Sequence, residues 1–247
     1  MDFPAFTDLG ALADELAKRG DVKLRALMTQ AWRVQSCLGD IRQAIDCMDA
    51  LTALVDRPKS EDTAARLATE RALMTTIIML YARATSTSTG KGERGSIQLD
   101  KDRLSASEWA DHTAIVDVRN QAMAHVYTSR SLNDHDWHRE KFFAVHIGDG
   151  VWKPASATNQ TGYHQATADR LSRMLPVAQR ELKAKFDKRM AAVSKMINDD
   201  VKGGALFKHV FDPVPVFGSE EGVRLVLGGA PQGESAFWIN EGDRRAG

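Results

Sequence analysis

Arg119, Asn120 and His125 lie in one short segment, and their residue types suit chemistry on a phosphodiester. Arginine is always charged, and its planar fork of donors fits a phosphate group. Histidine exchanges a proton near neutral pH, so it can take the proton of a ribose 2′-hydroxyl or protonate the leaving oxygen. Because arginine would hold the charge that develops on the phosphoryl oxygens, these residues predict cleavage of RNA without a metal ion.

The spacing of this motif sets a condition on its geometry. Six residues of ideal helix turn through about 600°, which leaves Arg119 and His125 about 120° apart around one straight axis. A kink in the helix, or the same helix of a two-fold-related subunit, is needed to bring the two side chains together. We therefore expect the active form to be a homodimer.

The motif resembles the signature of the HEPN superfamily, in which four to six residues separate an arginine from a histidine. Asn, Asp or His commonly follows the arginine in that family, and here Asn120 follows Arg119, with five residues before His125. Tyr127 resembles the tyrosine that follows the histidine in the HepT branch, where the gap is usually four residues. Ala124, His125 and the upstream His112 are similar to HEPN-type proteins of bacterial abortive-infection systems.

The resemblance implies an all-α, HEPN-like helical bundle that dimerises through the motif helices. It implies a metal-independent endoribonuclease of a bacterial defence or toxin–antitoxin system, with RNA and an antitoxin or defence protein as partners and with no cofactor. His125 would then be the general acid or base, Arg119 would bind phosphate, and Asn120 would orient the other two. Tyr127 would be a site of nucleotidyl modification by a partner antitoxin.

Plainer interpretations of the same residues stay open. His125 can cap the C-terminus of its helix, where a cation meets the negative end of the helix dipole. Arg119 can form an ion pair with Asp117 or Asp111. The alternative function is that of a non-catalytic, HEPN-like regulatory protein that binds nucleic acid or a partner.

Two loops contain residues that bear on cofactors and metals. Residues 90–95 spell GxGxxG, but a helix and a Ser/Thr run precede them instead of a strand, so we expect a surface loop in which Lys91 and Arg94 can contact phosphate. Residues 134–138 contain four possible metal ligands, but neither an HExxH motif nor a partner triad accompanies them. The sequence therefore predicts no metal site.

Most of the elements that position these residues are predicted helices. Apolar residues recur at helical spacing over residues 21–55, 64–81 and 165–201, and Ser105 with Glu108 forms a capping-box pair at the start of a helix that reaches about residue 127. The predicted helix over residues 165–201 is rich in basic residues. A solvated face explains them most simply, with Lys183 and Arg189 as candidate RNA contacts.

Two further segments interrupt the helical pattern. Aromatic and branched residues on either side of Gly148, Asp149 and Gly150 predict a small β-hairpin insertion over about residues 141–153. Glycines and prolines after residue 203 predict an extended, irregular C-terminal appendage over residues 204–247, so that residues 1–203 form the helical domain. Pro176 is expected to kink its helix or to begin a new one.

Composition limits the class of protein. The 247 residues carry 33 basic and 33 acidic side chains, and this zero net charge excludes a chain that binds nucleic acid over its whole surface. No apolar run approaches the ~20 residues that span a bilayer, so no membrane partner is expected. Cys37 and Cys47 are ten residues apart on a predicted helix, too far for a disulfide, which favours a cytoplasmic location.

Overall fold

The computed structural model describes residues 4–58, 63–87, 97–123, 130–132, 135–201 and 203–229, and the described chain is mostly helical. Its helices are α1 (Leu9–Lys18), α2 (Lys23–Val55), α3 (Ala64–Thr85), α4 (Ala106–Asp117), α5 (Gln165–Asp199), α6 (Gly203–Leu206), α7 (Pro213–Phe217) and α8 (Glu220–Gly229). Its strands are β1 (Phe6–Thr7), β2 (Ser86–Thr87), β3 (Ile97–Gln98), β4 (Arg130–Leu132), β5 (His135–His146), β6 (Trp152–Gln160) and β7 (Val210–Phe211). The predicted fold class, helical with a small β-hairpin and an irregular C-terminal region, is confirmed.

The chain divides into two compact units, one of Met1–Gln35 with Ala184–Gly247 and one of Ser36–Lys183. The predicted domain boundary at residue 203 does not coincide with this division, because the residues after 203 group with the N-terminus. Two short strands connect these parts of the first unit, since β1 pairs antiparallel with β7. In the same unit, α1, α2 and α5 contribute the core residues Leu12, Leu24, Val193 and Met196.

The C-terminal region is irregular but less extended than its composition predicted. Within the described residues it forms three short α-helices, one 3-10 turn (Phe207–His209) and one short strand. The prolines account for the difference, because Pro213 occupies the first turn of α7, where its missing N–H costs nothing. Asp212 caps that helix by accepting a hydrogen bond from the Val214 N–H at 3.0 Å.

The second unit is built on helices whose apolar faces are buried. Large side chains of α2, α3, α4 and α5 are fully buried there, among them Ile41, Leu51, Met74, Ile77, Tyr81, Ile115, Leu171 and Leu182. The periodicity that predicted these helices reflects this burial. α5 continues through Pro176 without ending, so the predicted new helix start does not occur.

α4 begins where the sequence indicated. The Ser105 hydroxyl accepts a hydrogen bond from the Glu108 N–H at 3.2 Å, and a Glu108 carboxylate oxygen accepts one from the Ser105 N–H at 2.7 Å. This reciprocal capping box satisfies two backbone donors that the helix would otherwise leave unpaired. It also fixes the first turn of the helix that leads to Arg119.

The β-hairpin is present and longer than predicted. β5 pairs antiparallel with β6 from His138 opposite Gln160 to His146 opposite Trp152, and β4 adds a third strand at the base. The turn follows the predicted glycine-rich sequence, and Gly148, Asp149 and Gly150 all have positive φ angles there. Glycine adopts such angles without strain, and aspartate tolerates them better than most residues do.

Candidate functional site

The helix that carries the motif changes its winding at Val118. A π-helical turn, Val118–Met123, follows α4 directly and is called the π-turn below. Its hydrogen bonds reach one residue further than those of an α-helix, so the turn is wider, and such turns occur often at functional sites. The fully buried Val118 anchors it, and the turn packs against α3 and β4. Arg119 and Asn120 therefore leave the regular α-helical spacing on which the 120° separation from His125 was based.

The side chains of Arg119 and Asn120 interact with each other. Arg119 Nη1 donates a hydrogen bond to Asn120 Oδ1 at 2.9 Å, while Arg119 is half-buried and Asn120 is exposed. Among the described residues, no carboxylate lies within ion-pairing distance of Arg119. Its guanidinium is thus oriented by a neutral amide, and no described carboxylate compensates its charge, which suits an anionic ligand.

The sequence left open an ion pair of Arg119 with Asp111 or Asp117, and neither forms. Asp111 accepts a hydrogen bond instead from Arg173 Nε of α5 at 2.8 Å, and it forms an ion pair with Arg170 Nε at 3.5 Å. Nearby, Arg180 of α5 lies 3.8 Å from a carboxylate oxygen of Glu108. These pairs hold α4 against α5 and give three arginines of α5 acidic partners.

A buried hydrogen bond holds α4 against α3. Tyr81 Oη lies 3.0 Å from Nδ1 of His112, and the Trp109 ring packs against the same imidazole at 5.2 Å between ring centres. Burial lowers the pKa of His112 below its usual value, and burial raises that of Tyr81. The neutral His112 therefore has a positioning role in the motif helix.

A histidine cluster lies at the base of the hairpin. The rings of His135 and His164 stack at 4.1 Å between centres, and Trp137 meets both edge-on at 5.4 and 5.2 Å. Burial lowers the pKa of His164, and the nearby His135 and Arg170 lower it further. The stacking gives His135, one of the possible metal ligands of residues 134–138, a packing role at the base of the hairpin.

A small cavity of about 140 Å³ adjoins this cluster and the end of the π-turn. His138 lies in its wall with 9% of its side chain exposed, and its Nε2 is 3.8 Å from a carboxylate oxygen of Glu140. The cavity is lined by Arg71 and Thr75 of α3, Ala122 and Met123 of the π-turn, and Trp137, His138, Gln160 and Thr161 of the hairpin base. Nothing in the sequence links His138 and Arg71 to the motif, because tertiary packing brings them to it.

Several predicted site residues lie outside the described residues. These are His125, Tyr127, Lys91 and Arg94. In the sequence, His125 comes two residues after Met123, the last residue of the π-turn.

The two basic residues predicted on α5 lie in different units and both have partners. Arg189, in the first unit, donates a hydrogen bond to the backbone oxygen of Gln30 at 2.6 Å. Lys183, in the second unit, is exposed and interacts with other parts of the protein. This hydrogen bond holds α5 against α2, so part of the Arg189 guanidinium is engaged within the protein.

The described residues contain no group of three or more His, Cys, Asp or Glu side chains that could hold a metal ion. None of the helices described is both long enough and apolar enough to cross a membrane. Comparisons of the chain with models of protein families, with curated proteins and with solved structures find no match.

Proposed function

We propose that this chain is a metal-independent endoribonuclease of a bacterial defence or toxin–antitoxin system, acting through Arg119, Asn120 and His125. The observation that carries the proposal is the guanidinium of Arg119 on the π-turn, which Asn120 Oδ1 orients at 2.9 Å and which no carboxylate of the described residues pairs with. A half-buried arginine without a described acidic partner is suited to hold a phosphate. The resemblance of the motif to the HEPN signature supplies the reaction.

In the proposed reaction, His125 removes the proton of a ribose 2′-hydroxyl as general base. The 2′-oxygen forms a bond to the adjacent phosphorus while the bond from phosphorus to the 5′-oxygen breaks. The leaving oxygen takes a proton from a general acid, and the products are a 2′,3′-cyclic phosphate and a 5′-hydroxyl. Arg119 stabilises the charge on the phosphoryl oxygens, and Asn120 keeps the guanidinium in place.

A homodimer supplies both proton-transfer groups. Two copies of the motif related by a two-fold axis bring two His125 side chains to one RNA strand, so one can act as base and the other as acid. Tyr127 is a proposed site of nucleotidyl modification by a partner antitoxin. We place the protein in the cytoplasm, which agrees with the thiol state of the buried Cys37 and of Cys47.

The test is cleavage of an end-labelled RNA by the purified protein in EDTA. We expect the wild type to cut and to leave 2′,3′-cyclic phosphate ends, and we expect His125→Ala to abolish cutting. Arg224→Ala is the matched control, because Arg224 is a surface arginine paired with Glu220 and Glu221. Absence of cleavage by the wild type, or equal cleavage by His125→Ala, would refute the proposed function.

The same experiment addresses the alternative of a non-catalytic binding protein. That alternative predicts that the wild type retains RNA in a binding assay without shortening it. It also predicts that His125→Ala binds as tightly as the wild type. Light scattering of both proteins checks that the dimer is present in each sample.

A further inference from the structure

The hairpin of β5 and β6 is exposed on both faces beyond its base. Every residue from Arg139 to Gln160 is exposed except Ala155, which is half-buried. The exposed side chains include six large apolar ones, namely Phe142, Phe143, Val145, Ile147, Val151 and Trp152. An isolated two-stranded hairpin is marginally stable in water, and a cluster of exposed apolar side chains marks a binding surface.

The strand register separates the side chains into two different faces. Successive residues of a strand point to opposite sides, and directly paired residues share a side. One side, here called the cationic face, carries Arg139, Lys141, Phe143, Val145 and Lys153. The other side, called the aromatic face, carries Glu140, Phe142, His146 and Trp152.

The charges differ between these two faces. The cationic face contains three basic residues and no acid, whereas the aromatic face contains the acidic Glu140 and neither lysine nor arginine. Arg139 is ion-paired with Asp136. Within the described part of the chain, no carboxylate pairs with Lys141 or Lys153, so their charges are available to an anionic partner.

Phe143 lies between these two lysines on the cationic face. Its cross-strand partner is the small Ala155, and 42% of its surface is exposed. Lys141 is two residues away along β5, and Lys153, the cross-strand partner of Val145, is two residue pairs away in the other direction. Two residues of a strand span about 7 Å, so one lysine lies on each side of Phe143 at about that distance along the strand direction.

We propose that the cationic face binds single-stranded RNA, with a base stacked on Phe143 and the neighbouring phosphates on Lys141 and Lys153. An aromatic ring flanked by cations matches the alternation of base and phosphate along a single strand. A single strand is required, because the bases of a duplex are stacked on each other and are not available to a side chain. This inference rests on the proposed function for RNA as the ligand and adds the surface that holds it.

The test measures binding by fluorescence anisotropy with the full-length protein in EDTA. The probe is a labelled 2′-O-methyl oligouridine of about 12 nucleotides, which has no free 2′-hydroxyl and so cannot be cut by the proposed reaction. Phe143→Ala should weaken binding by about 5-fold or more, the range of one lost stacking contact. Phe142→Ala is the matched control. Phe142 is 79% exposed but lies on the aromatic face, so its loss should leave the Kd unchanged.

The lysines are tested through the salt dependence of binding. In the double variant Lys141→Gln/Lys153→Gln, the slope of log K against log salt should decrease in magnitude by about 1.4, the value for two phosphate contacts with a single strand. All these side chains are exposed, so the variants should fold, and circular dichroism checks this. An unchanged slope overturns the inference, as does equal weakening by Phe142→Ala and Phe143→Ala.

The outcomes separate this inference from the proposed function. If the wild type cuts RNA and every hairpin variant binds the probe like the wild type, the inference fails and the proposed function stands. If the hairpin variants weaken binding as expected but no RNA is cut, the binding surface stands and the proposed function fails. If Phe143→Ala lowers the molar mass in light scattering and leaves RNA affinity unchanged, the face binds a second copy and the inference is overturned.

Discussion

Two sets of arginines in the second unit lie in opposite electrostatic settings. Arg173 of α5 lies 2.8 Å from a carboxylate oxygen of Asp111, and Arg170 shares that carboxylate. Arg119 on the π-turn instead contacts the neutral amide oxygen of Asn120, with no acidic partner among the described residues. The α5 arginines hold two helices together, whereas the charge of Arg119 remains available. The hydrogen-bond and ion-pair partners of each basic residue are therefore a better guide to an anion site than the number of basic residues on a helix.

The largest expected effect separates these two settings directly. Arg119→Ala should reduce the rate of RNA cleavage by about 10²–10³-fold, the usual loss when one donor to a developing oxyanion is removed. Arg173→Ala should keep the rate within about 3-fold at temperatures well below its melting point, because its guanidinium is engaged with Asp111. The rate is measured on labelled RNA in EDTA. Equal losses in the two variants would contradict the distinction between the two sets of arginines.

A second variant tests how α4 is held in place. Tyr81→Phe should lower the free energy of unfolding by about 1–3 kcal/mol, because it leaves the buried Nδ1 of His112 without its partner at 3.0 Å. Urea denaturation at pH 7 measures this loss. Thr113→Ala changes an exposed residue of the same helix and serves as the control, with an expected effect within about 0.5 kcal/mol. If both variants unfold at the same urea concentration, the buried hydrogen bond is not a main support of α4.

A third variant removes the acid that neutralises the α5 arginines. Asp111→Asn should lower the free energy of unfolding by about 1 kcal/mol, because it weakens the contacts with both Arg170 and Arg173. Glu221→Gln disrupts the ion pair of Glu221 with Arg224 on α8. This ion pair is more exposed than those of Asp111, so its loss should change the free energy of unfolding less. Comparison of urea midpoints decides between them. A larger effect for Glu221→Gln would show that the α4–α5 pairs contribute little.

The smallest expected effect is a pH dependence of stability. Burial lowers the pKa of His112 in the folded protein, so below about pH 6.5 the unfolded chain binds more protons at this residue. Stability should therefore be greatest above that pH and fall as the pH drops through the folded pKa of His112, and His164 acts in the same direction. Urea midpoints at pH 7 and pH 5 measure the change. His112→Gln should show a smaller decrease, and an equal decrease would assign the effect to other groups.

Local signals in the sequence predicted much of the fold. Helical periodicity located α2, α3 and α5, the pair Ser105 and Glu108 located the start of α4, and the glycines around Asp149 located the hairpin turn. The short α1 was missed, although Asp8 caps it by accepting hydrogen bonds from two backbone N–H groups. The C-terminal prolines were interpreted as signs of extended chain, whereas Pro213 begins α7.

The candidate site was predicted only in part, for reasons that concern tertiary structure. The adjacency of Arg119 and Asn120 is a property of the sequence, and their hydrogen bond follows from it. The π-turn is not predictable in this way, because the same residues fit an ordinary α-helix and the packing of Val118 on α3 contributes to the choice. The ion pairs between α4 and α5 join residues far apart in the sequence, so the basic face of α5 looked more available than it is.

The most direct test of the central claim is a double-mutant cycle on Arg119 and His125. The rate of RNA cleavage in EDTA is measured for the wild type, for Arg119→Ala, for His125→Ala and for the double variant. Residues that act as one catalytic unit are not additive, so we predict that each single variant loses at least about 100-fold and that the double variant is no slower than the slower single one. A wild type that does not cut RNA, or single variants that cut as fast as the wild type, would contradict the account.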